Sequence, residues 1–302
     1  MSSNARKELC KKFLSVLKKG TIPWEQGWGE NVEQVNPITK TKYNGITNMI
    51  LSLENRKSNQ WVTLSQSKKQ GWVLKKGVKP VIVERFIFEN RKNPEEVLSV
   101  ESYARRVLEG VNVAFEYNKV LQSYYLYNLD DFENVPEVYR AKTKPTAKTK
   151  KQEDFVSKLP AKLGVLVFED STIESGAYYD PNKDEVHLPP KEKFKSVYSY
   201  NAVKLHELCH STSQKKRLDR SYLYKSREDM NFGSEGYAKE ELRAEIASAF
   251  LMQDIGLQPD KSELTNHLGY VQSWIKVLEK NENELSKAID DAYKIEDYIL
   301  NA

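Results

Sequence analysis

Cysteine is nearly absent from the chain: Cys10 and Cys209 are the two in 302 residues, too few to build a disulfide framework. Long apolar runs are missing as well, and no stretch approaches the roughly 18 uninterrupted apolar residues of a membrane span. The opening residues, MSSNARKELCKKFLSVLKKG, lack the continuous apolar core and small-residue cleavage site of a secretory signal. Leu9, Phe13, Leu14 and Leu17 recur there at helical spacing instead, which predicts an amphipathic first helix over 5–19 in a cytoplasmic protein. No internal repeat is visible. Histidine is scarce, with four in the chain, at 187, 206, 210 and 267, so their placement carries information.

What is present is an ordinary water-soluble composition, 39% hydrophobic and 30% charged, long enough for two modest domains. The net charge of +4 hides an asymmetry. Residues 1–150 hold 26 Lys and Arg against 16 Asp and Glu, whereas the remainder holds 21 against 27. Almost all of the positive excess lies before residue 86. A basic front half and an acidic back half suggest two functions, with a polyanion as partner of the first. Between them, AKTKPTAKTKKQED has five lysines, one proline and no large apolar residue, and reads as a solvated linker over 141–153. The expected division is a domain at 1–140, this linker, and a second domain at 154–302.

The front domain reads as α+β. Helices are expected near Thr47 and at Ser65-Gln66-Ser67, with strands flanking Lys76-Gly77 and another in SYYLYNLDDF. Residues 89–113 read as a charged, irregular insertion. In the back domain, LGVLVFED predicts a buried strand, and SGAYYDPNKDEVHLP a hairpin turning at 181–184. Four helices follow: 194–211, the YAKEELRAEIASAFLMQD segment ended by Gly256, and two more towards the C-terminus. The back domain is therefore a small sheet followed by a helical bundle.

The chemistry concentrates in AVKLHELCHST, which contains His206-Glu207-Leu208-Cys209-His210, a match to H-E-x-x-H. Residues four apart lie on one face of a helix, so His206 and His210 can offer two imidazole nitrogens to one metal ion. Glu207 stands beside them, placed to take a proton from water at an open coordination position. Cys209 points to another face, and its expected role is apolar packing. A third ligand is needed, and the next helix offers Glu240, Glu241 and Glu245. A solvated charge face is the common reading of helical glutamates, but IASAFLM follows directly and is too apolar for an exposed helix. Glu241 is the favoured ligand, with Glu245 one turn on as the group that fixes a ligand histidine. His267 with Tyr270 forms a candidate pair for an oxyanion or the attacking water, against a capping or packing role for the histidine. His187 reads as structural.

In the front domain, Trp24, Trp28, Trp61 and Trp72 lie among Lys40, Lys42, Arg56, Lys57, Lys68, Lys69, Lys75, Lys76 and Lys79. Base-stacking rings among phosphate-tracking cations are the ingredients of a single-stranded nucleic-acid site. Trp24 and Trp28, in a loop with Pro23 and Gly27, are the expected platforms, with Lys40, Lys42, Tyr43 and the Lys68/Lys69 and Lys75/Lys76 pairs beside them.

YYDPNKDEVHLP, LHELCHST, YAKEELRAEIASAFL and the helices carrying YVQSWIKVL and AIDDAYKIEDYIL occur in this order across 175–302. Together they resemble the metallopeptidase domain of the ArdC family of antirestriction proteins. IPWEQGW, YNGITNMIL, WVTLSQSKKQGWVLKKGVKP and YYLYNLDDFENVP resemble that family's N-terminal single-stranded-DNA-binding domain. The resemblance implies a two-domain α+β fold with a zincin-like back domain, metal ligands at His206, His210 and Glu241, and Glu207 as the catalytic glutamate. It further implies zinc as cofactor, with manganese or cobalt also compatible with a His2Glu set. The expected partners are single-stranded DNA and an unidentified protein substrate, for which a component of a host restriction system is the candidate, with no membrane partner. The alternative is a non-enzymatic DNA-binding protein whose metal is structural.

Overall fold

Helix α1 (Asn4–Leu17) forms where the sequence predicts it, and it buries Leu9, Cys10, Phe13 and Leu17 almost completely. The computed structural model describes residues 4–20, 34–43, 45–109, 115–139, 150–173, 176–257 and 268–302. The chain divides into two units, Gln34–Lys142 and a second formed by Met1–Glu33 with Thr143–Ala302. The break after Lys142 lies two residues from the boundary expected at 140, and the difference is at the other end, where α1 joins the back unit. Its apolar stripe needs a partner face, and the C-terminal helices supply it. Arg6 adds a two-pronged pair with Asp290, both contacts at 2.9 Å.

In the unit Gln34–Lys142, helix α2 (Gly45–Ser52) is followed by strand β1 (Trp61–Val62) and helix α3 (Leu64–Lys69). Thr63 and Gln66 start α3 with a reciprocal capping box. Then come β2 (Val73–Leu74), β3 (Val81–Asn90), β4 (Val97–Ser99), α4 (Val100–Leu108), β5 (Tyr117–Asn128) and β6 (Phe132–Glu133). The main sheet has the order β1-β5-β3-β4 and is antiparallel throughout, with Val83 opposite Tyr124 and Ile87 opposite Val120. Strands β2 and β3 do flank Lys76-Gly77, but they do not pair with each other: β2 pairs with β6. Val62, Trp72, Leu129, Phe132 and Val135 form a buried cluster. Residues 89–113 are more regular than their composition suggests, since β4 and α4 lie within them. Ser99 caps α4, and Tyr103 stacks on Phe88 at 3.7 Å.

In the other unit, helix α5 (Lys150–Leu163) begins inside the expected linker, so residues 150–153 are helical rather than loop. Residues 140–149 lie outside the described part. The sheet comprises β7 (Leu166–Glu169), β8 (Tyr178–Asp180) and β9 (Glu185–Leu188), ordered β7-β9-β8, with β7 parallel and β8 antiparallel to β9. Strand β7 is not the buried strand expected, for Leu166 and Phe168 are exposed. One sheet face turns outward, and on it His187 stacks between Phe168 and Tyr178 at 5.4 and 4.9 Å, the structural role expected of it. The opposite face buries Val186 and Leu188 on the side where helix α6 (Val197–Ser211) lies. The β8–β9 turn is closed by Asp184, which sits in the left-handed region at φ 60° and accepts from Arg217 at 2.7 and 2.8 Å.

Helices α7 (Glu235–Asp254), α8 (Leu268–Lys280) and α9 (Asn283–Leu300) complete the unit. Helix α7 is its centre: residues 240–251 are buried without a break, so its charged residues must find partners inside. Arg243, 1% exposed, donates to Asp291 and Glu284 of α9, both at 2.8 Å. Among the described residues no helix is long and apolar enough to cross a membrane.

Candidate metal centre

Two helices build the site. Ser196 caps α6 through a box with Ser199, and fifteen residues of uninterrupted helix then set His206 and His210 one turn apart on one face. Ser234 caps α7 by accepting from the Tyr237 amide, and the second turn of that helix carries Glu240 and Glu241. Because α6 and α7 pack together, the imidazoles meet the carboxylates. His206 Nε2 and His210 Nε2 lie 3.1 Å apart. Glu241 Oε2 is 3.5 Å from the first and Glu241 Oε1 3.4 Å from the second. Each of the three residues offers one ligand atom, and these atoms lie within 4.8 Å of one another.

This donor set fits a divalent ion. Glu241 is 3% exposed, and its Oε2 has no hydrogen-bond partner. Buried carboxylates are paired with cations or bind metals, and two imidazole nitrogens facing the two oxygens of one buried carboxylate are the borderline-soft N/O set that zinc and manganese accept.

Around the ligands lie further acids. Glu245 Oε1 is 3.8 Å from His206 Nδ1, and Glu240 Oε1 is 3.3 Å from His210 Nδ1. Burial opposes charge on both imidazoles. Glu245 and Glu241 around His206, and Glu241 and Glu240 around His210, outweigh it and raise both histidines above their ordinary value, His210 the further. Glu241 is buried too, yet His210 and His206 hold it well below the usual carboxylate range. Glu207, 7% exposed, moves the opposite way: burial pushes its pKa up, and the two imidazoles offset only part of that rise.

Tyr270, on the first turn of α8, stands 3.4 Å from the Tyr237 hydroxyl. Burial raises its phenol, and the negative charges of Glu241, Glu207 and Glu245 raise it further. His267, its expected companion, lies outside the described residues. Glu240, one of the three glutamates the sequence offers as a third ligand, takes a different place, which the sequence does not indicate. In the structure it is 4% exposed and sits between His210 and Arg220. The apolar run after it signals its burial; nothing in the sequence marked Arg220. Sequence reasoning missed Tyr237, although it stands one turn before Glu241 on the same helix.

Of the expected DNA-contacting residues, Lys40, Lys42, Tyr43, Lys68, Lys69, Lys75 and Lys76 belong to the unit Gln34–Lys142. Trp24 and Trp28 lie outside the described residues. Lys40, Lys42, Lys68, Lys69, Lys75 and Lys76 are all exposed. Lys75 donates to the Asp130 carbonyl at 2.8 Å. Tyr43 is half-buried against Asn36 and Trp61, and burial pushes its phenol up to about 12. Trp61 and Trp72 are core residues, 1% and 5% exposed, and so are not stacking platforms.

Residues 3–117 match the N-terminal domain of anti-restriction factor ArdC, and residues 155–291 match a zincin-like metallopeptidase. A crystal structure of the antirestriction ArdC protein from plasmid R388, metal-free, superimposes with a TM-score of 0.68 at 27% identity over 99% of this chain and 97% of that one. This chain belongs to the ArdC family. A Mn(II)-bound structure of the same R388 protein matches with the same score and identity. Two proteins named DNA primase TraC, both from Escherichia coli, are 32% and 31% identical over 97% of the chain. The chain spans 27% and 19% of their lengths. The two-domain α+β architecture is that of ArdC, with a back domain of the metal-binding zincin type. Helix α1 falls within the ArdC N-terminal domain by sequence while packing in the other unit.

Proposed function

We propose that the chain is an antirestriction protein of a mobile element, cytoplasmic, which binds single-stranded DNA through its N-terminal domain and carries a zinc-dependent peptidase site at His206, His210 and Glu241. The observation that carries this reading is the convergence of two half-buried histidines on the buried Glu241, beside the buried Glu207, in a domain matching a zincin-like metallopeptidase. The Mn(II)-bound ArdC relative supports a divalent ion at such a site without fixing which one.

Zinc or manganese held there supplies Lewis acidity toward a water and the scissile carbonyl. The chain's own residues do the rest. Glu207 takes the proton of the attacking water and passes it to the departing amine. Its burial-raised pKa suits both transfers, since an acid–base group works best near the operating pH. Tyr270 donates its phenolic hydrogen toward the carbonyl oxygen as negative charge develops there, with Tyr237 fixing its orientation and His267 as a second donor. Glu245, its Oε1 3.8 Å from His206 Nδ1, stands on that side of the ring as a charge partner rather than a hydrogen-bond acceptor. The substrate is a protein, and a component of a host restriction system is the candidate that the antirestriction reading suggests.

For DNA, exposed lysines track the phosphates while Trp24 and Trp28 stack on bases. This assignment rests on the family match and on the basic front half of the sequence.

Glu207→Gln tests the enzymatic part. It keeps the ligand set and nearly the same shape, so the variant is expected to retain its metal and fold and to lose between about a hundredfold and ten-thousandfold in peptide cleavage. Protection of incoming DNA is expected to fall with it. Full protection by a metal-loaded, folded Glu207→Gln chain assigns the metal a structural part and leaves protection to DNA binding.

A further inference from the structure

Arg220 lies ten residues beyond His210, in the irregular segment between α6 and α7, and is 2% exposed. It donates to both oxygens of Glu240: Nε to Oε2 at 2.9 Å, and Nη2 to Oε1 by a still shorter contact. The same guanidinium donates to Thr212 Oγ1 at 2.6 Å and to the Cys209 carbonyl at 3.0 Å. Its planar fork is therefore fixed by the end of the helix that carries His206 and His210. Glu240 in turn has Oε1 3.3 Å from His210 Nδ1, while His210 Nε2 faces Glu241 and His206.

We infer that Arg220 and Glu240 form a positioning pair that presets His210 for the metal: Glu240 accepts the Nδ1 hydrogen of His210, leaving Nε2 as the free donor atom, and Arg220 locks Glu240 in place. An imidazole has one lone-pair nitrogen when neutral, and the partner of the other nitrogen decides which one it is. A carboxylate held by two guanidinium bonds cannot swing away from the ring. Arg220 also neutralises Glu240, so His210 gains its hydrogen-bond acceptor without a further net negative charge in a site already holding Glu207, Glu241 and Glu245. The two histidines differ in this respect. His206 Nδ1 is buried without a hydrogen-bond partner, its nearest carboxylate oxygen being Glu245 Oε1 at 3.8 Å. His210 is thus the ring set in advance.

The inference rests on the metal-site reading, and the experiment separates the two. Zn(II) and Mn(II) affinities of the full chain are measured by competition with a chromogenic chelator, together with the thermal melt of the metal-free protein. Wild type, Glu240→Ala, Glu240→Gln and the paired replacement Arg220→Met/Glu240→Leu are compared. The paired change removes both charges, so a folded protein is retained even where Glu240→Ala leaves Arg220 buried and alone. Affinity is expected to fall about 10- to 100-fold in Glu240→Ala and in the paired variant, with Glu240→Gln intermediate because its amide oxygen still accepts. In the zinc-loaded wild type, the His210 Nδ1 hydrogen gives a slowly exchanging proton resonance, which the paired variant loses. A paired variant that folds and binds zinc as tightly as wild type overturns the inference. A wild-type chain that binds neither ion overturns the metal-site reading beneath it.

Discussion

Glu207 and Glu241 are both buried carboxylates beside the same two imidazoles, yet their acidities are driven apart. Glu241 faces the ring nitrogens directly and stays ionised, while burial dominates at Glu207. That separation is the physical basis for giving one the metal and the other the proton. It was legible only in part. The four-residue spacing of His206 and His210 follows from helix geometry alone, and the apolar run after Glu245 announced that the glutamates before it are inside. Arg220 was invisible, because it lies in a segment with no periodicity and reaches its partners through tertiary packing. A third buried carboxylate, not one of the metal-site residues, gives a sharp titration test. Glu296 of α9 is 8% exposed. Burial, aided by the negative charges of Asp254 and Asp297, pushes its pKa up to about 8. A folded-state pKa above the unfolded value of about 4.3 means the favourable contribution is complete below that value and is lost as pH rises through about 8. Glu296→Gln is therefore expected to match wild type in stability near pH 4 and to exceed it by a few kcal/mol at pH 9. Urea denaturation of both chains at the two pH values measures the difference, and a pH-independent gap refutes the assignment.

At the scale of elements, α1 shows what sequence periodicity can and cannot decide. Its amphipathic stripe predicted the helix to within a residue or two, but nothing in the stripe names the surface that covers it. The structure sets Leu9, Phe13 and Leu17 in the back unit with α8 and α9, and Lys18 reaches Glu279 of α8 at 2.6 Å. Phe13→Ala is expected to cost about 3–5 kcal/mol. Hydrogen exchange locates that loss: amides of α8 and α9 should lose protection while those of β3 and β5 keep it. The reverse pattern contradicts the placement. Helix α5 escaped sequence reading for a different reason. Its first turn is lysine-rich, continues a threonine- and lysine-rich stretch, and Pro160 lies in its interior, so composition pointed to loop where burial of Val156, Leu159 and Leu163 makes a helix. Strand β7 was misjudged as buried because an apolar run does not reveal that only one sheet face has a partner.

Across the whole molecule, the two units have different charge and different chemistry. The stretch 34–142 holds 17 Lys and Arg against 12 Asp and Glu, and among its described side chains the Lys68/Lys69 pair at the end of α3 is exposed. Counterion release makes single-strand affinity fall with salt, with a log–log slope of about 0.7 per phosphate contacted. Lys68→Gln/Lys69→Gln is expected to flatten that slope by about 1.4 if both lysines touch phosphates, and to leave metal affinity unchanged. An unaltered slope removes the pair from the DNA surface. The paired domains were legible as a charge reversal on either side of a lysine-rich stretch, and the order of motifs pointed to the family. Glu241 could be named as the third ligand, but the packing of α6 against α7 that delivers it to the two histidines was not legible.

The most direct test of the account is the metal content of the purified chain, measured by inductively coupled plasma mass spectrometry beside His206→Ala and Glu241→Ala after equilibration with limiting zinc. One divalent ion per wild-type chain, and little or none in either variant, is the predicted result. Equal metal content in wild type and His206→Ala would contradict it.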